Sequence, residues 1–210
     1  MNLPLGPVSD CYGYDRGTPV DRVYIDDFLI QHSALIRGDA AEVKDDTYLR
    51  RYGRERLTST TIIDIDPTNS RATLQADITV PGSLPAATFD CVVLTQTLQL
   101  LTDASAALRT CYTALRPGGA LLLTVPCLAR VSPSGGTADR WRFTPAGLHH
   151  LLTDWPGPTQ VTGYGNLRTC LAALLGEAAE ELTATERKHI DPRFPLLAVA
   201  TARRATNQGA

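Results

Sequence analysis

Acidic and polar side chains follow four successive predicted strands, and their types suit them to hold a nucleoside. In an open α/β sheet, ligands bind in the crevice beyond the carboxyl ends of the strands. A carboxylate after the second strand can accept both ribose hydroxyls, and a polar side chain after the third can reach an adenine amino group. Each acid alone is also a common turn residue, so the set carries more weight than any member. The set comprises Lys44, Asp45, Asp46, Asp64, Asp66, Asp77, Thr95, Gln96 and Thr97.

Short apolar or β-branched runs predict the strands that bring these side chains to one edge. The run at residues 89–94 is apolar throughout, as expected for a strand buried on both faces. We expect residues 40–44 at the centre, next to 60–66 and 89–94, because the strand order must reverse there to form the crevice. The remaining predicted strands lie at residues 71–77, 120–125, 160–164 and 195–201.

Helical periodicity and capping residues predict helices between these strands. Thr18 should cap the first helix, with Pro19 as its first residue and Asp21 completing a capping box, and Gly38 should end it. The alternation of helices and short strands predicts a mostly parallel, Rossmann-like α/β sheet with helices on both faces. The other predicted helix boundaries are residues 104 and 116, the caps Thr144 and Asn166, and Leu182 as the end of a long Asn166 helix.

Composition predicts one compact domain and excludes several classes of partner. The 210 residues are 43% hydrophobic and 20% charged, with a net charge of -2, so we expect no nucleic-acid or acidic-membrane partner. The lack of a membrane-length apolar run and of a leader pattern predicts a cytoplasmic protein. Five cysteines without paired spacing predict reduced thiols and no metal site. We expect an arm at residues 1–17, the domain at 18–202 and a disordered tail at 203–210.

Several motifs resemble those of the class I S-adenosylmethionine-dependent methyltransferases. Residues 88–126 resemble the second half of that family's core, with a Phe-Asp strand, a helix, a Pro-Gly-Gly turn and an apolar strand. Residues 139–144 resemble its Trp-Arg-Phe-Thr segment. The resemblance extends over residues 15–201. It is closest to bacterial methyltransferase domains found beside glycosyltransferases, on the segments 15–22, 45–51 and 164–166.

This resemblance implies S-adenosylmethionine as cofactor and methyl transfer to a small molecule. The implied acceptor is an oxygen of a sugar or of a glycosylated or phenolic product, and a pathway glycosyltransferase is an implied partner of a monomer or homodimer. Glu42 and Ile78 join the cofactor-binding set. The arm would fold over the cleft as a lid. The expected substrate-binding residues, from the arm and the Trp-Arg-Phe-Thr segment, are Tyr12, Tyr14, Arg16, Arg140, Trp141 and Arg142.

A missing glycine-rich turn is the main departure from the family. Methyltransferases of this class usually carry Glu-x-Gly-x-Gly-x-Gly after the first strand, where glycines let the backbone approach the cofactor. Residues 42–48 here read Glu-Val-Lys-Asp-Asp-Thr-Tyr, so Lys44 stands at the first glycine position. The missing glycines argue against a dinucleotide-binding oxidoreductase. They leave open an alternative, in which the fold is repurposed as a non-methylating enzyme or a binding partner.

Methyl transfer needs in-line positioning and, for a weakly acidic acceptor, a base. The candidate bases are His149, His150 and Asp139. Consecutive helical residues point apart, so at most one of the two histidines can face the cleft. His32 lies on the apolar face of the first helix, which favours a core position.

Overall fold

A single seven-stranded sheet organises the part of the chain that the computed structural model describes, residues 4–132 and 138–206. The strand order is β3-β2-β1-β4-β5-β7-β6. The strands in chain order are β1 Gly38–Val43, β2 Leu57–Asp64, β3 Leu74–Gln75, β4 Phe89–Thr95, β5 Leu115–Pro126, β6 Thr159–Tyr164 and β7 Leu197–Arg203. The α-helices are α1 Val20–Gln31, α2 Ala104–Ala114, α3 Pro145–Leu151, α4 Leu167–Leu175 and α5 Ala184–Lys188. Short 3₁₀ or π turns cover Ser33–Leu35, Leu49–Gly53, Arg54–Arg56, Leu98–Leu100 and Ala179–Glu181.

The strand order reverses at β1, which confirms the predicted centre of the sheet. β1 pairs in parallel with β2 on one side and with β4 on the other, where Ala41 lies opposite Val92. β5 continues in parallel with β4, whereas β7 is antiparallel to both β5 and β6. Because chain connections leave β1 and β4 in opposite directions, a crevice opens beyond their carboxyl ends.

Two apolar cores cover the two faces of the sheet, as alternation along the strands requires. Leu121 and Leu123 of β5 belong to the core that packs against α2 and α3, and Leu122 belongs to the core that packs against α1 and α4. Phe28 of α1 and Leu108 of α2 are buried on these opposite faces. The predicted α/β layering with helices on both faces is therefore confirmed. None of the described helices is long and apolar enough to cross a membrane.

The predicted start of the first helix is wrong. Helix α1 begins at Val20, its N-cap is Pro19, and no side chain caps it. Thr18 instead donates from its backbone nitrogen and its hydroxyl to the carboxylate of Glu180, at 2.9 and 2.8 Å. The helix ends at Gln31, well before Gly38. The hydroxyl of Thr18 is therefore used in a contact with a distant residue and is not available for a local capping box.

Other boundaries also differ from the prediction. Asn166 does cap α4 through a reciprocal capping box, as predicted, but the helix ends at Gly176 in a left-handed conformation instead of reaching Leu182. β2 ends at Asp64, two residues before the predicted end. Beyond β7, the backbone of Arg204 exchanges hydrogen bonds with Gly118 and Gly119, so order continues past residue 202. Residues 207–210 of the predicted tail lie outside the described residues.

Candidate functional site

Two adjoining cavities lie at the carboxyl edge of the parallel strands. We call the larger one, about 820 Å³, the acidic cavity, because Glu42, Asp45, Asp64, Asp66 and Asp77 line it. We call the other, about 620 Å³, the basic cavity. Its charged lining residues are Asp21, Arg22, Lys44, Arg130, Asp139 and Arg142. Both cavities are bordered by Tyr14, Arg22, Lys44, Gln96 and Leu100, which therefore mark the boundary between them.

The acidic cavity gathers the predicted cofactor-binding residues, with one exception. Asp46 is buried, and its two carboxylate oxygens are taken by Arg50 and Arg71. Asp46 therefore fastens the turn after β1 and does not line the cavity. The residues that do line it are Glu42, Lys44, Asp45, Asp64, Asp66, Asp77, Ile78, Thr95, Gln96 and Thr97.

Glu42 is a buried carboxyl group at the end of β1. Its oxygens accept hydrogen bonds from the backbone nitrogens of Leu49, at 2.9 Å, and Tyr48, at 3.3 Å. Burial raises the pKa of Glu42 to about 8, against the opposing effect of those two hydrogen bonds. At neutral pH the group is therefore mostly protonated in the free protein, and it closes the glycine-free turn by bonding across it.

Lys44 has a backbone conformation that normally favours glycine, with φ of 78°. Its backbone nitrogen donates to Ile63 at 2.8 Å, and its carbonyl accepts from the side chain of Asn69 at 2.8 Å. A lysine here thus adopts a left-handed backbone conformation that glycine would adopt without strain. Within the described part of the chain, the exposed ammonium group of Lys44 makes no ion pair within 4 Å.

Backbone strain is concentrated at the cavities. The described residues include five non-glycine residues with positive φ, and three of them, Tyr12, Lys44 and Gln96, line one or both cavities. Such conformations cost about 1–3 kcal/mol each and cluster at functional sites. Their concentration here supports a ligand-binding role for the crevice.

Asp64 and Asp66 keep carboxylate oxygens available for a ligand. Asp64 ends β2, where its oxygens accept from Asn69 at 2.7 Å and from the backbone of Asp66 at 3.0 Å. One oxygen of the exposed Asp66 accepts from the nitrogen and hydroxyl of Thr68. Asp64 therefore ends β2, where the sequence had predicted Asp66. Both carboxylates line the acidic cavity and can accept further hydrogen bonds there.

The far end of the acidic cavity combines a carboxylate with apolar walls. One oxygen of Asp77 accepts from the backbone and hydroxyl of Thr79, at 2.8 and 2.7 Å. Ile78 is buried, whereas Ile65 is 62% exposed although it is a large aliphatic residue. An apolar wall beside a carboxylate suits a flat heterocycle with an amino group, such as adenine.

The structure brings only half of the predicted substrate-binding residues to the basic cavity. Tyr12, Tyr14 and Arg142 line it. The other three make contacts elsewhere. Arg16 pairs with Glu181, and Arg140 donates to the carbonyls of Leu100 and Ala138. The indole nitrogen of Trp141 donates to the carbonyl of Leu101. These three are corrected to structural contacts.

None of the predicted bases is well placed for proton transfer. His149 and His150 are exposed in the last turn of α3, and neither lines either cavity. Asp139 does line the basic cavity, but Arg142 donates to both of its oxygens, at 2.6 and 3.0 Å. That hydrogen bonding holds the pKa of Asp139 below its usual range, which makes it a poor base at neutral pH.

Two cationic residues of the cavities were missed in the sequence, Arg22 and Arg130. Arg22 lies on α1 at the boundary of the cavities. Arg130 stacks on the ring of Tyr12, with 4.0 Å from its guanidinium carbon to the ring centroid, and contacts Asp10. Arg22 lies in the segment 15–22 that carries the family resemblance, so that resemblance could have indicated it as a site residue. Nothing in the sequence near Arg130 indicates its partner, which lies more than 100 residues away.

Comparisons with known proteins agree with the fold. Residues 46–123 match the family described as a methyltransferase domain. No curated protein matches the chain. The chain is similar to an S-adenosylmethionine-dependent methyltransferase from Archaeoglobus fulgidus, at 11% identity over 87% of this chain and 94% of that one, with a TM-score of 0.58.

Two further solved structures show the range of this fold. One is the N-methyltransferase NodS from Bradyrhizobium japonicum WM9, in complex with S-adenosylhomocysteine, at 14% identity over 94% and 93% of the two chains and a TM-score of 0.58. The other is the [4+2]-cyclase SpnF, at 15% identity over 98% and 89% and a TM-score of 0.59. At these identities the neighbours show the fold alone. Together with the domain match over residues 46–123, they show that the chain has the fold of S-adenosylmethionine-dependent methyltransferases.

Proposed function

We propose that this protein transfers a methyl group from S-adenosylmethionine to an oxygen of a small molecule, either a sugar or a glycosylated or phenolic product. The observation that carries the proposal is the pair of adjoining cavities at the switch point between β1 and β4. One cavity has the residue types for a nucleoside, and the other is separate enough to hold an acceptor. Methyl transfer requires two ligands that meet at one point, and the shared boundary provides such a point.

The residues of the acidic cavity fit the cofactor. Asp64 and Asp66 would accept from the ribose hydroxyls, and Asp77 with Ile65 and Ile78 would hold the adenine. When bound, the cofactor supplies an already activated sulfonium methyl group. The surrounding carboxylates favour a cation there, and the turn after β1 would hold the methionine end.

The basic cavity would position the acceptor, with Tyr12 and Tyr14 of the arm on one side. The arm is docked, because Val8 donates to the carbonyl of Leu175 at 2.7 Å and Arg16 pairs with Glu181. We infer that the arm acts as a lid that excludes water and shapes the acceptor site. A phenolic acceptor would need no strong base, which agrees with the poor placement of the predicted ones.

We also infer a cytoplasmic protein that works beside a pathway glycosyltransferase, as a monomer or homodimer. These inferences rest on the motif resemblance and composition of the chain.

A second candidate function keeps the fold without methyl transfer. Lys44 at the glycine position favours it, because an ammonium group near the cofactor's sulfonium would repel that charge. A similar structure described as a [4+2]-cyclase illustrates that this fold can carry another name and activity. Calorimetric titration with S-adenosylhomocysteine separates the two candidates. Methyl transfer requires that this ligand binds, whereas in the second candidate Lys44 would fill the methionine pocket and prevent binding.

Replacing the strand-end carboxylates should weaken cofactor binding. We expect Asp64→Ala to weaken S-adenosylhomocysteine binding about tenfold and Asp66→Ala several-fold, because hydrogen bonds to charged groups contribute about 1.5–3 kcal/mol. Calorimetry measures both dissociation constants. Asp154→Ala, which removes an exposed carboxylate outside both cavities, is the matched control. Parent-like binding by both variants would reduce Asp64 and Asp66 to turn residues.

Lys44→Gly should relieve strain without harming the cofactor site. Glycine accepts the left-handed conformation, so we expect the free energy of unfolding to rise by about 1 kcal/mol. Affinity for S-adenosylmethionine should stay or improve, since like charges about 4 Å apart repel by about 1 kcal/mol or more. The control is Arg54→Gly, which relieves a positive φ of 50° outside both cavities. If the parent binds no cofactor and only Lys44→Gly does, the non-methylating function is correct.

A further inference from the structure

The two adjoining cavities carry opposite charge. Apart from the boundary residues Arg22 and Lys44, the charged side chains of the acidic cavity are all carboxylic acids. The basic cavity is lined by four cationic residues against two acids, Asp21 and Asp139. A cavity with excess positive charge attracts an anion and repels a cationic ligand such as the cofactor.

Three of the four cations are poorly neutralised by the protein. Arg142 is fully paired with the partly buried Asp139 through two hydrogen bonds. Arg22 donates to the hydroxyl of Tyr48 at 3.5 Å, and its nearest carboxylate, that of Asp21, lies 3.8 Å away, which is longer than a hydrogen bond. Lys44 makes no ion pair among the described residues. Arg130 donates to the backbone carbonyl of Asp10, but its one ion pair, with the 94% exposed carboxylate of Asp10, is long at 3.4 Å, so its charge is only weakly neutralised.

Unsatisfied polar atoms are concentrated around the same cavity. Among the described residues, five buried side-chain nitrogen or oxygen atoms have no polar partner within 3.5 Å, and three of them belong to residues of the basic cavity. They are Nε of Arg22, Nε of Arg130 and Oε1 of Gln99. The amide nitrogen of Gln99 donates to the carbonyl of Gln96 at 2.8 Å, which leaves Oε1 as an open acceptor.

This concentration of unpaired polar atoms indicates a binding site. Native proteins leave few buried polar groups unpaired, because each costs about 1–3 kcal/mol. A guanidinium charge is delocalised over three nitrogens, so an anion in the cavity compensates it without touching Nε itself. Three poorly neutralised cations and one open acceptor describe a site that a ligand completes.

We propose that the methyl acceptor is an oxyanion, a small molecule whose carboxylate or phosphate lies among Arg22, Lys44 and Arg130. A hydroxyl or amine of the same molecule would donate to Gln99. This inference rests on the proposed function and names its substrate class. It replaces Arg140 and Arg142 as the expected substrate-binding arginines, since Arg140 lies outside the cavity and Arg142 is already paired.

The charge difference would also sort the two substrates. A cationic cofactor is favoured in the acidic cavity and disfavoured in the basic one, and an anionic acceptor has the reverse preference. Each ligand is thereby kept out of the other's place, and the cations at the boundary hold the acceptor beside the methyl group.

Matched pairs of probes that differ only in charge test the proposal. Parent protein saturated with S-adenosylhomocysteine is titrated calorimetrically with 4-hydroxybenzoate against 4-hydroxybenzamide, with glucuronate against glucose, and with glucose 6-phosphate against glucose. We expect the anionic member of at least one pair to bind about tenfold more tightly or better, as charge-assisted hydrogen bonds predict. Equal binding within every pair, or no binding of any anionic probe, would overturn the proposal.

Substitutions then test which residue causes the preference for the anionic probe. Arg130 lines only the basic cavity, so Arg130→Gln should reduce the preference for the anion about tenfold while S-adenosylhomocysteine binding is unchanged. Arg130→Lys keeps a charge and should restore part of the preference, which separates charge from packing on Tyr12. Arg109→Gln, an exposed arginine of α2, is the matched control. An undiminished preference in Arg130→Gln would contradict the assigned site.

The two proposals fail in different ways. Absence of S-adenosylhomocysteine binding would overturn the proposed methyl transfer. In that case the same probe pairs are titrated into the protein alone, and a tenfold preference for the anions that Arg130→Gln removes would still support an oxyanion site. Loss of that preference as well would overturn both.

Discussion

Deleting residues 1–17 is expected to abolish methyl transfer while cofactor binding is largely retained. The arm contributes Tyr12 and Tyr14 to the basic cavity and holds Arg130 through the stacking of Tyr12. Without the arm, water would enter the place where acceptor and methyl group meet, and the acceptor would lose one wall. The acidic cavity would lose only Tyr14, so S-adenosylhomocysteine should still bind.

The measurement compares turnover, cofactor binding and thermal unfolding. Transfer of a labelled methyl group to the best acceptor among the probes gives turnover, and we expect none above background for the deletion variant. Unfolding should stay cooperative, because the arm adds no strand to the sheet. Deletion of residues 1–6 is the control, since it leaves the docking contacts of Val8 and Ser9 in place. Parent-like turnover after removal of residues 1–17 would show that the arm is a passive tail.

Glu42 should make the protein less stable as pH rises. Its pKa is about 8 in the folded protein and near 4.5 when exposed. Above pH 4.5 the unfolded chain releases this proton while the folded chain keeps it, so the free energy of unfolding falls until the folded carboxyl also ionises near pH 8. One pKa unit corresponds to about 1.4 kcal/mol, so the contribution between about pH 5.5 and about pH 8 is about 3 kcal/mol.

Glu42→Gln removes this titration and reveals its size. The variant loses one of the two acceptors for the backbone of Tyr48 and Leu49, so it should be about 1 kcal/mol less stable near pH 5.5. Toward pH 9 the order should reverse, because the variant has no carboxyl to ionise. Urea unfolding at several pH values measures the difference, and Glu55→Gln, at an exposed position, is the control. A difference that does not change with pH would contradict the raised pKa.

The fold was predictable where one strand or helix carries its own signal. The apolar run at residues 89–94 and the β-branched run at 60–66 correctly indicated two neighbours of the central strand. The capping of Asn166 also needed only local residues. Thr18 failed as a predicted cap because its partner, Glu180, is distant in the sequence. Gly176 shows the same limit, since its left-handed turn ends a helix whose apolar spacing continued beyond it.

The site was predictable on the cofactor side and less so on the acceptor side. Parallel strands end at one edge of the sheet, so Asp64, Asp66 and Asp77 could be assigned to that edge from the sequence, although the exact strand ends could not. Asp46 could not, because its role depends on Arg50 and Arg71 folding back on it. The basic cavity is assembled from separate loops, the arm and α1. Arg130 had no local signal in the sequence, because its place in the cavity depends on stacking against the distant Tyr12.

The order of the strands has a consequence for synthesis on the ribosome. The acidic cavity is complete once residue 138 has been made, whereas the basic cavity also needs Leu196 and Leu197. β7 inserts between β5 and β6, so β5 has an unpaired, apolar edge until the last strand emerges. A growing chain would therefore hold its cofactor site before its acceptor site exists. Over the same interval β5 would present an apolar edge to other chains, so a chain that stalls before residue 197 should be prone to aggregate.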